Sequence, residues 1–373
     1  TLWHRHPGHQ GDAPMKQRIL AAINDPGFGD LPVGELQKLG KRLAKTPEAL
    51  ETAPVQCRVA LLAGFTTSYL AELLPLMLLR RGIGCTLYEA PFGAMTTEIL
   101  DPASGYHRFE PALTFLLPSH RDLAHAPGPD ADAAGSAAAV EAEAAHWCQL
   151  WERISGPIVQ LAFDPPPIRP LGEGDGLHPG GGLRHGRAVN LALADAAPGR
   201  VGFVDAEHLA TRLGADVWHD ARLYHLTKQP CSMEALPALA TALAAATAGM
   251  LGRGRKGLVL DLDNTLWGGE VGDVGIEGLT LGPETPEGES FTAFQNYVKS
   301  LERRGVILAV CSKNQEALAK EPFERHGAMV LGLDDIACFI ANFDDKASNL
   351  AEIAKRLNVG LDALVFADDS PVE

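Results

Sequence analysis

Basic residues are scarce in this chain. Thirty-two lysines and arginines stand against 47 aspartates and glutamates, a formal net charge of −15 over 373 residues. General binding to nucleic acid needs a basic surface to neutralise phosphates, so no nucleic-acid partner is expected. Long apolar runs are lacking as well. No stretch reaches the roughly 18–20 residues of a membrane span. The longest candidate, Tyr69 to Leu79, contains Glu72 and stops at Arg80-Arg81, so no membrane partner is expected. The six cysteines (Cys57, Cys85, Cys148, Cys231, Cys311 and Cys338) are scattered without a CxxC pair. That pattern excludes a zinc knot and predicts buried, reduced thiols in a cytoplasmic protein. No secretion signal opens the chain. It begins at Thr1 rather than Met, and the expectation is that the natural start is missing.

With 46% hydrophobic and 21% charged residues, the chain can bury real cores, and its length suits two domains. Residues 1–54 read as a helical segment, with apolar residues at helical spacing from Met15 to Ile23 and from Gly34 to Leu43. His4, His6 and His9 near the start suit a metal site, a tag or a loose arm. Residues 55–252 alternate strands (58–64, 85–90, 113–117, 158–163, 201–205) with helices (68–80, 137–154, 236–251). Pro165 to Gly186 is dense in Pro and Gly and predicts a long loop. Gly252-Arg-Gly-Arg-Lys256 reads as a join. Residues 253–373 repeat the alternation, with strands at 258–262, 306–311, 328–331 and 363–367 and helices at 290–304, 315–326 and 345–357. This order predicts an α/β protein with two doubly wound parallel-sheet domains.

The chemistry concentrates in Leu258-Val-Leu-Asp261-Leu-Asp263-Asn-Thr265-Leu-Trp267-Gly-Gly269. Asp261 and Asp263 lie two apart at the end of an apolar strand, and on an extended backbone such residues face the same side. Two adjacent carboxylates repel, and a hard cation such as Mg²⁺, held by oxygen ligands and often found with phosphate, gives the pairing a reason. Three further features follow. Val306 to Val310 leads to Cys311, Ser312, Lys313 and Asn314; Lys346 opens a helix; Leu364 to Ala367 leads to Asp368 and Asp369. In an open parallel sheet, ligands bind outside the carboxyl ends of the strands, so these groups converge on one crevice. The plainer alternative is that they are loop carboxylates in helix-cap and turn roles. The gaps between the motifs hold a flap from Trp267 to Leu281 and single helices, too little for a large cap domain.

Type, order and strand context together resemble the haloacid dehalogenase superfamily of phosphotransferases. The resemblance implies Asp261 as nucleophile, Asp263 as general acid and base, Ser312 as a hydrogen-bonding group for the phosphoryl oxygens and Lys346 as the neutralising cation. It implies Mg²⁺ as cofactor, held by Asp261, Asp368, Asp369 and the backbone carbonyl of Asp263. Thr265, Trp267, Lys313 and Asn314 are the implied substrate contacts, Thr265 also helping to hold the aspartate loop.

The wording is closer still to the FkbH-like family. Leu260 to Gly269, Val310 to Asn314, Phe343-Asp-Asp-Lys346 and Phe366 to Pro371 carry that likeness. Tyr88 to Phe92, Glu98 to Pro102 and Thr227 to Pro230 extend it into the first domain. This resemblance implies transfer of a glyceryl unit from 1,3-bisphosphoglycerate to the phosphopantetheine thiol of an acyl carrier protein, with loss of phosphate, for polyketide biosynthesis. It implies a passing thioester on an enzyme cysteine. Cys311, beside Ser312, is the candidate, ahead of Cys338 and Cys231; a buried structural cysteine is the alternative, because adjacent strand residues face opposite sides. A plain phosphatase acting on a small phosphoester is the alternative function. The last motif lies so near Glu373 that a cut C-terminus is expected.

The first domain is similar to SGNH-type esterases in its sheet. Thr66-Thr67-Ser68, Asp220 and His225 invite a nucleophile–histidine reading, yet the usual Asp-x-x-His spacing is absent. A gripping surface for substrate or carrier, or a static cap, is the other reading, with Arg222, His225 and Lys228 as anion contacts or as ordinary solvated surface. Arg253, Arg255 and Lys256 form a basic patch suited to an acidic carrier protein or to a solvated linker.

Overall fold

Leu113–Leu117 is buried at every residue. A strand inside a parallel sheet has this character because helices cover both faces and leave no polar side. The computed structural model describes residues 14–370, so the histidines at 4, 6 and 9 lie outside the described residues. The chain divides into two compact units, with the boundary between Gly252 and Arg253.

The first unit is built on β1 (Val55–Ala63), β2 (Ile83–Glu89), β3 (Leu113–Leu117), β4 (Ile158–Leu161) and β5 (Val201–Val204). They form a five-stranded sheet in the order β2-β1-β3-β4-β5, parallel throughout. The winding reverses at β1, which leaves a crevice between the carboxyl ends of β1 and β3. One face buries Val59, Leu61, Phe115 and Leu117 against helices Ser68–Arg80 and Leu236–Met250. The other buries Ala60, Leu62, Leu116 and Ile158 against helices Ala133–Arg153 and Gly182–Ala196.

The described part of the N-terminal segment is not separate. Ile19, Ile23, Leu36, Leu39 and Leu43 join the same core as Leu73 and Leu74. Helix Val33–Ala44 approaches helix Ser68–Arg80 so closely that a Cβ on Gly40 would lie 2.1 Å from the Glu72 carbonyl oxygen. The expected loop from Pro165 ends early. Asp175 accepts the Leu183 N–H at 2.8 Å, which satisfies a donor in the first turn of helix Gly182–Ala196.

The second unit is a four-stranded parallel sheet, β8-β7-β6-β9, made of β6 (Gly257–Leu260), β7 (Ile307–Ser312), β8 (Ile336–Ala341) and β9 (Leu364–Ala367). Helix Pro286–Arg303 starts as its sequence dictates, with Thr285 capping the Gly288 N–H at 3.0 Å and proline in the first turn. The strand expected at 328–331 is corrected. The Val330 and Leu331 N–H groups donate to Gln295 Oε1 at 2.9 and 3.3 Å, not to a neighbouring strand. The apolar run Ile336–Ala341 takes the place beside β7 instead. A short apolar run alone does not separate a buried strand from a buried loop. Among the described residues no helix is long and apolar enough to cross a membrane.

Candidate active site

β6 ends at Leu260, level with Val310 on β7 and Ala367 on β9. The Asp261 N–H extends the ladder to the Ala367 carbonyl at 2.9 Å. The chain then turns sharply: the Thr265 and Leu266 N–H groups both reach the Leu262 carbonyl, at 3.1 and 2.8 Å. Asn264 adopts the left-handed region with φ 56°, and its Oδ1 accepts the Gly269 N–H at 2.9 Å. Asparagine tolerates this conformation because its short polar side chain bonds locally.

Lys346 is the first residue of helix Lys346–Arg356, which Asp345 caps by accepting the Ser348 N–H at 2.9 Å. Its Nζ donates to Asp261 Oδ2 at 3.0 Å and also to Asp368 Oδ2. Burial alone would lower the lysine pKa, but the two carboxylates outweigh it and raise it. Lys346 is therefore a firm cation. Asp368 is held in turn by the Ser370 N–H on its other oxygen at 2.8 Å.

Asp261, Asp368 and Asp369 each offer a carboxylate oxygen within 4.8 Å of the others. Asp261 Oδ1 is buried and has no hydrogen-bond partner; neither has Thr265 Oγ1. Leaving such a group unsatisfied costs about 1–3 kcal/mol, more when charged. An all-oxygen donor set with an orphaned carboxylate oxygen fits a hard divalent cation of the Mg²⁺ class.

Asp263 is placed differently. Trp267 Nε1 and the Val271 N–H donate to its Oδ1 at 2.9 and 3.1 Å, and Asn314 Nδ2 donates to Oδ2 at 3.0 Å. Burial raises its pKa, the Asp261 charge adds to the rise, and the net direction is upward despite these donors. A general acid needs a carboxyl whose hold on its proton is strengthened, and the shift of Asp263 is in that direction. The flap beyond it is closed by a pair of hydrogen bonds between Gly268 and Thr280, at 3.0 and 2.9 Å.

Asp261, Asp263, Lys346, Asp368 and Asp369 thus meet outside the strand ends, with Ser312 ending β7 and Asn314 two residues beyond it. Two assignments change. Trp267 has no exposed surface and lies edge-on to Phe323, so it orients Asp263 through its Nε1–H rather than touching a substrate. Cys311 also has no exposed surface. It lies with Val259, Ala309, Cys338 and Ile353 in the apolar cluster, its Sγ 4.0 Å from the Lys346 carbonyl, and does not open on the crevice. Asn314 likewise holds Asp263, while Lys313 is exposed. The Val271 contact was not legible in the sequence, because a backbone N–H in an irregular flap carries no residue signature.

In the first unit, the nucleophile–histidine reading dissolves. Ser68 begins a helix and is exposed, and Thr67 donates to Glu89 at 2.8 Å. Asp220 caps helix Ala221–Thr227 through the Leu223 N–H at 2.8 Å, and His225 is exposed beside Tyr224. Lys228 lies over the Tyr224 ring, Arg222 is exposed, and Arg253 faces Asp362 at 3.6 Å.

A carboxylate backed by a lysine, a second carboxyl whose pKa is raised and a three-carboxylate cation site, set at parallel strand ends, define a phosphatase-type enzyme domain. The model for the FkbH N-terminal domain matches residues 58–246. A solved structure of similar chain is the N-terminal part of a Bacteroides fragilis protein, containing a phosphatase domain and complexed with Mg. It superposes with a TM-score of 0.79 at 32% identity, over 92% of this chain and 89% of that one. No curated protein matches. The chain belongs to the FkbH family.

Proposed function

We propose that this protein transfers a glyceryl unit from 1,3-bisphosphoglycerate to the phosphopantetheine thiol of an acyl carrier protein and removes the remaining phosphate. The observation that carries the phosphatase half is the placement of Lys346 between Asp261 and Asp368, with Asp263 held on three donors two residues further along. The Asp261 carboxylate attacks phosphorus, and the bond from phosphorus to the substrate oxygen breaks. Asp263 gives its proton to that oxygen. It then takes a proton from the water that hydrolyses the aspartyl phosphate. Lys346 offsets the negative charge that builds on the phosphoryl oxygens, and Thr265 and Ser312 would hydrogen-bond them. Asp261, Asp368 and Asp369, with the Asp263 carbonyl, would hold Mg²⁺; when bound, it supplies charge stabilisation to the phosphoryl group.

The transferase half rests on family membership. The acyl phosphate exchanges its phosphate for a thiol, releasing inorganic phosphate and leaving a thioester. Cys311, enclosed as it is, is not proposed as the thiol that first receives the acyl group. Intact-mass analysis after incubation with 1,3-bisphosphoglycerate, Mg²⁺ and phosphopantetheinylated carrier protein tests the proposal. A glyceryl adduct on the carrier is expected, absent without enzyme and still phosphorylated with Asp261→Asn; peptide mapping of acylated enzyme identifies the thiol. Phosphate release with no adduct on either protein would reduce the activity to hydrolysis of a small phosphoester.

A further inference from the structure

The first unit carries a second cluster of titratable groups that the chemistry above does not use. It lies outside the carboxyl ends of β1, β3 and β4, at the switch point of the sheet, where open α/β sheets bind ligands. The His120 N–H and Nδ1 both reach Asp164 Oδ1, at 2.8 and 2.9 Å, and Trp218 Nε1 donates to Asp164 Oδ2 at 3.3 Å. Asp164 is 4% exposed. Burial would raise its pKa, but the His120 contacts outweigh burial and lower it. With both its backbone N–H and its Nδ1 fixed on Asp164, the His120 ring turns its Nε2 edge away from that carboxylate. His219 stands edge-on to His120 at 5.9 Å, anchored by its Nε2 to the Pro165 carbonyl at 2.8 Å.

Asp122 forms the other side. Its Oδ2 accepts the Ser119 N–H and hydroxyl at 2.7 and 2.9 Å. It lies so close to the end of β1 that a Cβ on Gly64 would come within 2.1 Å of its carboxylate oxygens. Burial raises the Asp122 pKa. The two carboxyl groups are thus driven in opposite directions, a pattern found at functional sites.

Two cations stand at the same strand ends. The Arg121 guanidinium lies 3.9 Å from the Tyr224 ring centre and Lys228 Nζ lies 5.0 Å from it. The Lys228 carbonyl accepts the Thr66 N–H at 2.9 Å, which ties this wall to the loop after β1. The next residue, Gln229, is 2% exposed, and its Oε1 has no donor. Cations, an oriented imidazole and an orphaned buried acceptor together ask for a ligand that brings negative charge and an O–H group, since a hydroxyl both donates and accepts.

We propose that this crevice is a second binding site, distinct from the aspartate site, for a small hydroxylated anion of the hydroxy-acid class. Arg121 and Lys228 take the anionic group, Gln229 Oε1 accepts a hydroxyl hydrogen, and His120 Nε2 hydrogen-bonds a hydroxyl. The proposal does not depend on the glyceryl-transfer reading.

Calorimetric titration of the full chain with D-glycerate, in Mg²⁺-free buffer, tests it. Saturable binding is expected, with propionate, which lacks the hydroxyls, at least tenfold weaker. His120→Ala and the pair Arg121→Met with Lys228→Met should each weaken binding at least tenfold, and Asp261→Asn should leave it unchanged. Should His120→Ala fail to fold, the pair of cation variants carries the test. Absence of saturable binding would overturn the proposal. So would equal binding of propionate, indifference to the cation variants, or loss of binding with Asp261→Asn, which would locate the ligand at the aspartate site.

Discussion

Lys346 Nζ and Asp261 Oδ2 meet at 3.0 Å across 85 positions of the chain, and the same ammonium also serves Asp368. Removing one partner of such a buried group leaves uncompensated charge, at a cost of about 3–5 kcal/mol. Lys346→Met is therefore expected to lower the urea midpoint in EDTA. It should also slow release of phosphate from p-nitrophenyl phosphate by roughly 10²–10³-fold. An unchanged midpoint would mean that the three carboxylates do not need this cation.

Mg²⁺ should raise the melting temperature of the wild-type protein. A ligand that binds only the folded state at about 100 times its Kd stabilises by about 2.7 kcal/mol. Asp369→Ala, which removes one of the three carboxylates, should abolish most of that rise. Scanning calorimetry with and without Mg²⁺ measures it, and an equal shift in the variant would place the ion elsewhere.

Trp267→Phe keeps an aromatic ring against Phe323 and deletes the 2.9 Å hydrogen bond to Asp263. Activity should fall about tenfold, equivalent to roughly 1.4 kcal/mol, with a smaller loss of stability. Steady-state kinetics beside urea unfolding separates the two, and a full-activity variant would show that Asp263 needs no such orientation.

Asp335 accepts from Lys299 and from the Gly332 N–H, the latter at 2.9 Å. Burial pushes its pKa up, but these donors outweigh it and the net shift is down. A depressed carboxylate stabilises the fold fully above its unfolded value, near 3.9. The contribution is lost as pH falls through the lower folded value. Urea midpoints should therefore decline below about pH 4 in the wild type and decline less steeply in Asp335→Asn. Parallel curves would remove Asp335 from the acid response.

Cys148 is half-exposed, and the other five cysteines are buried. Brief iodoacetamide treatment of the native protein should label Cys148 first and leave Cys311 unmodified until urea is added. Early labelling of Cys311, read by peptide mass mapping, would show that its enclosure opens in solution.

The helix Ser68–Arg80 and the strand Leu113–Leu117 were legible to the residue, because a mainly apolar run between polar turns has few other ways to fold. Asp261, Lys346 and Asp368 were legible too, since carboxylates and a lysine at strand ends and helix starts have few reasons to recur together. The segment Ala328-Met-Val-Leu331 misled for the opposite reason: its apolar run is real, but Gln295, far along the chain, takes its backbone donors.

By itself, then, the sequence determined the alternation of strands and helices, the two parallel sheets and the identity of the acidic and lysine groups, all of which follow from local pattern and residue chemistry. Only the tertiary structure decided which way each side chain faces and who its partners are. Trp267 became a support for Asp263, Cys311 turned into the core, Asp220 became a helix cap, and His120 found Asp164 from 44 positions away. Those outcomes depend on strand register and on how elements distant in sequence pack, and neither is a property of any short stretch of chain.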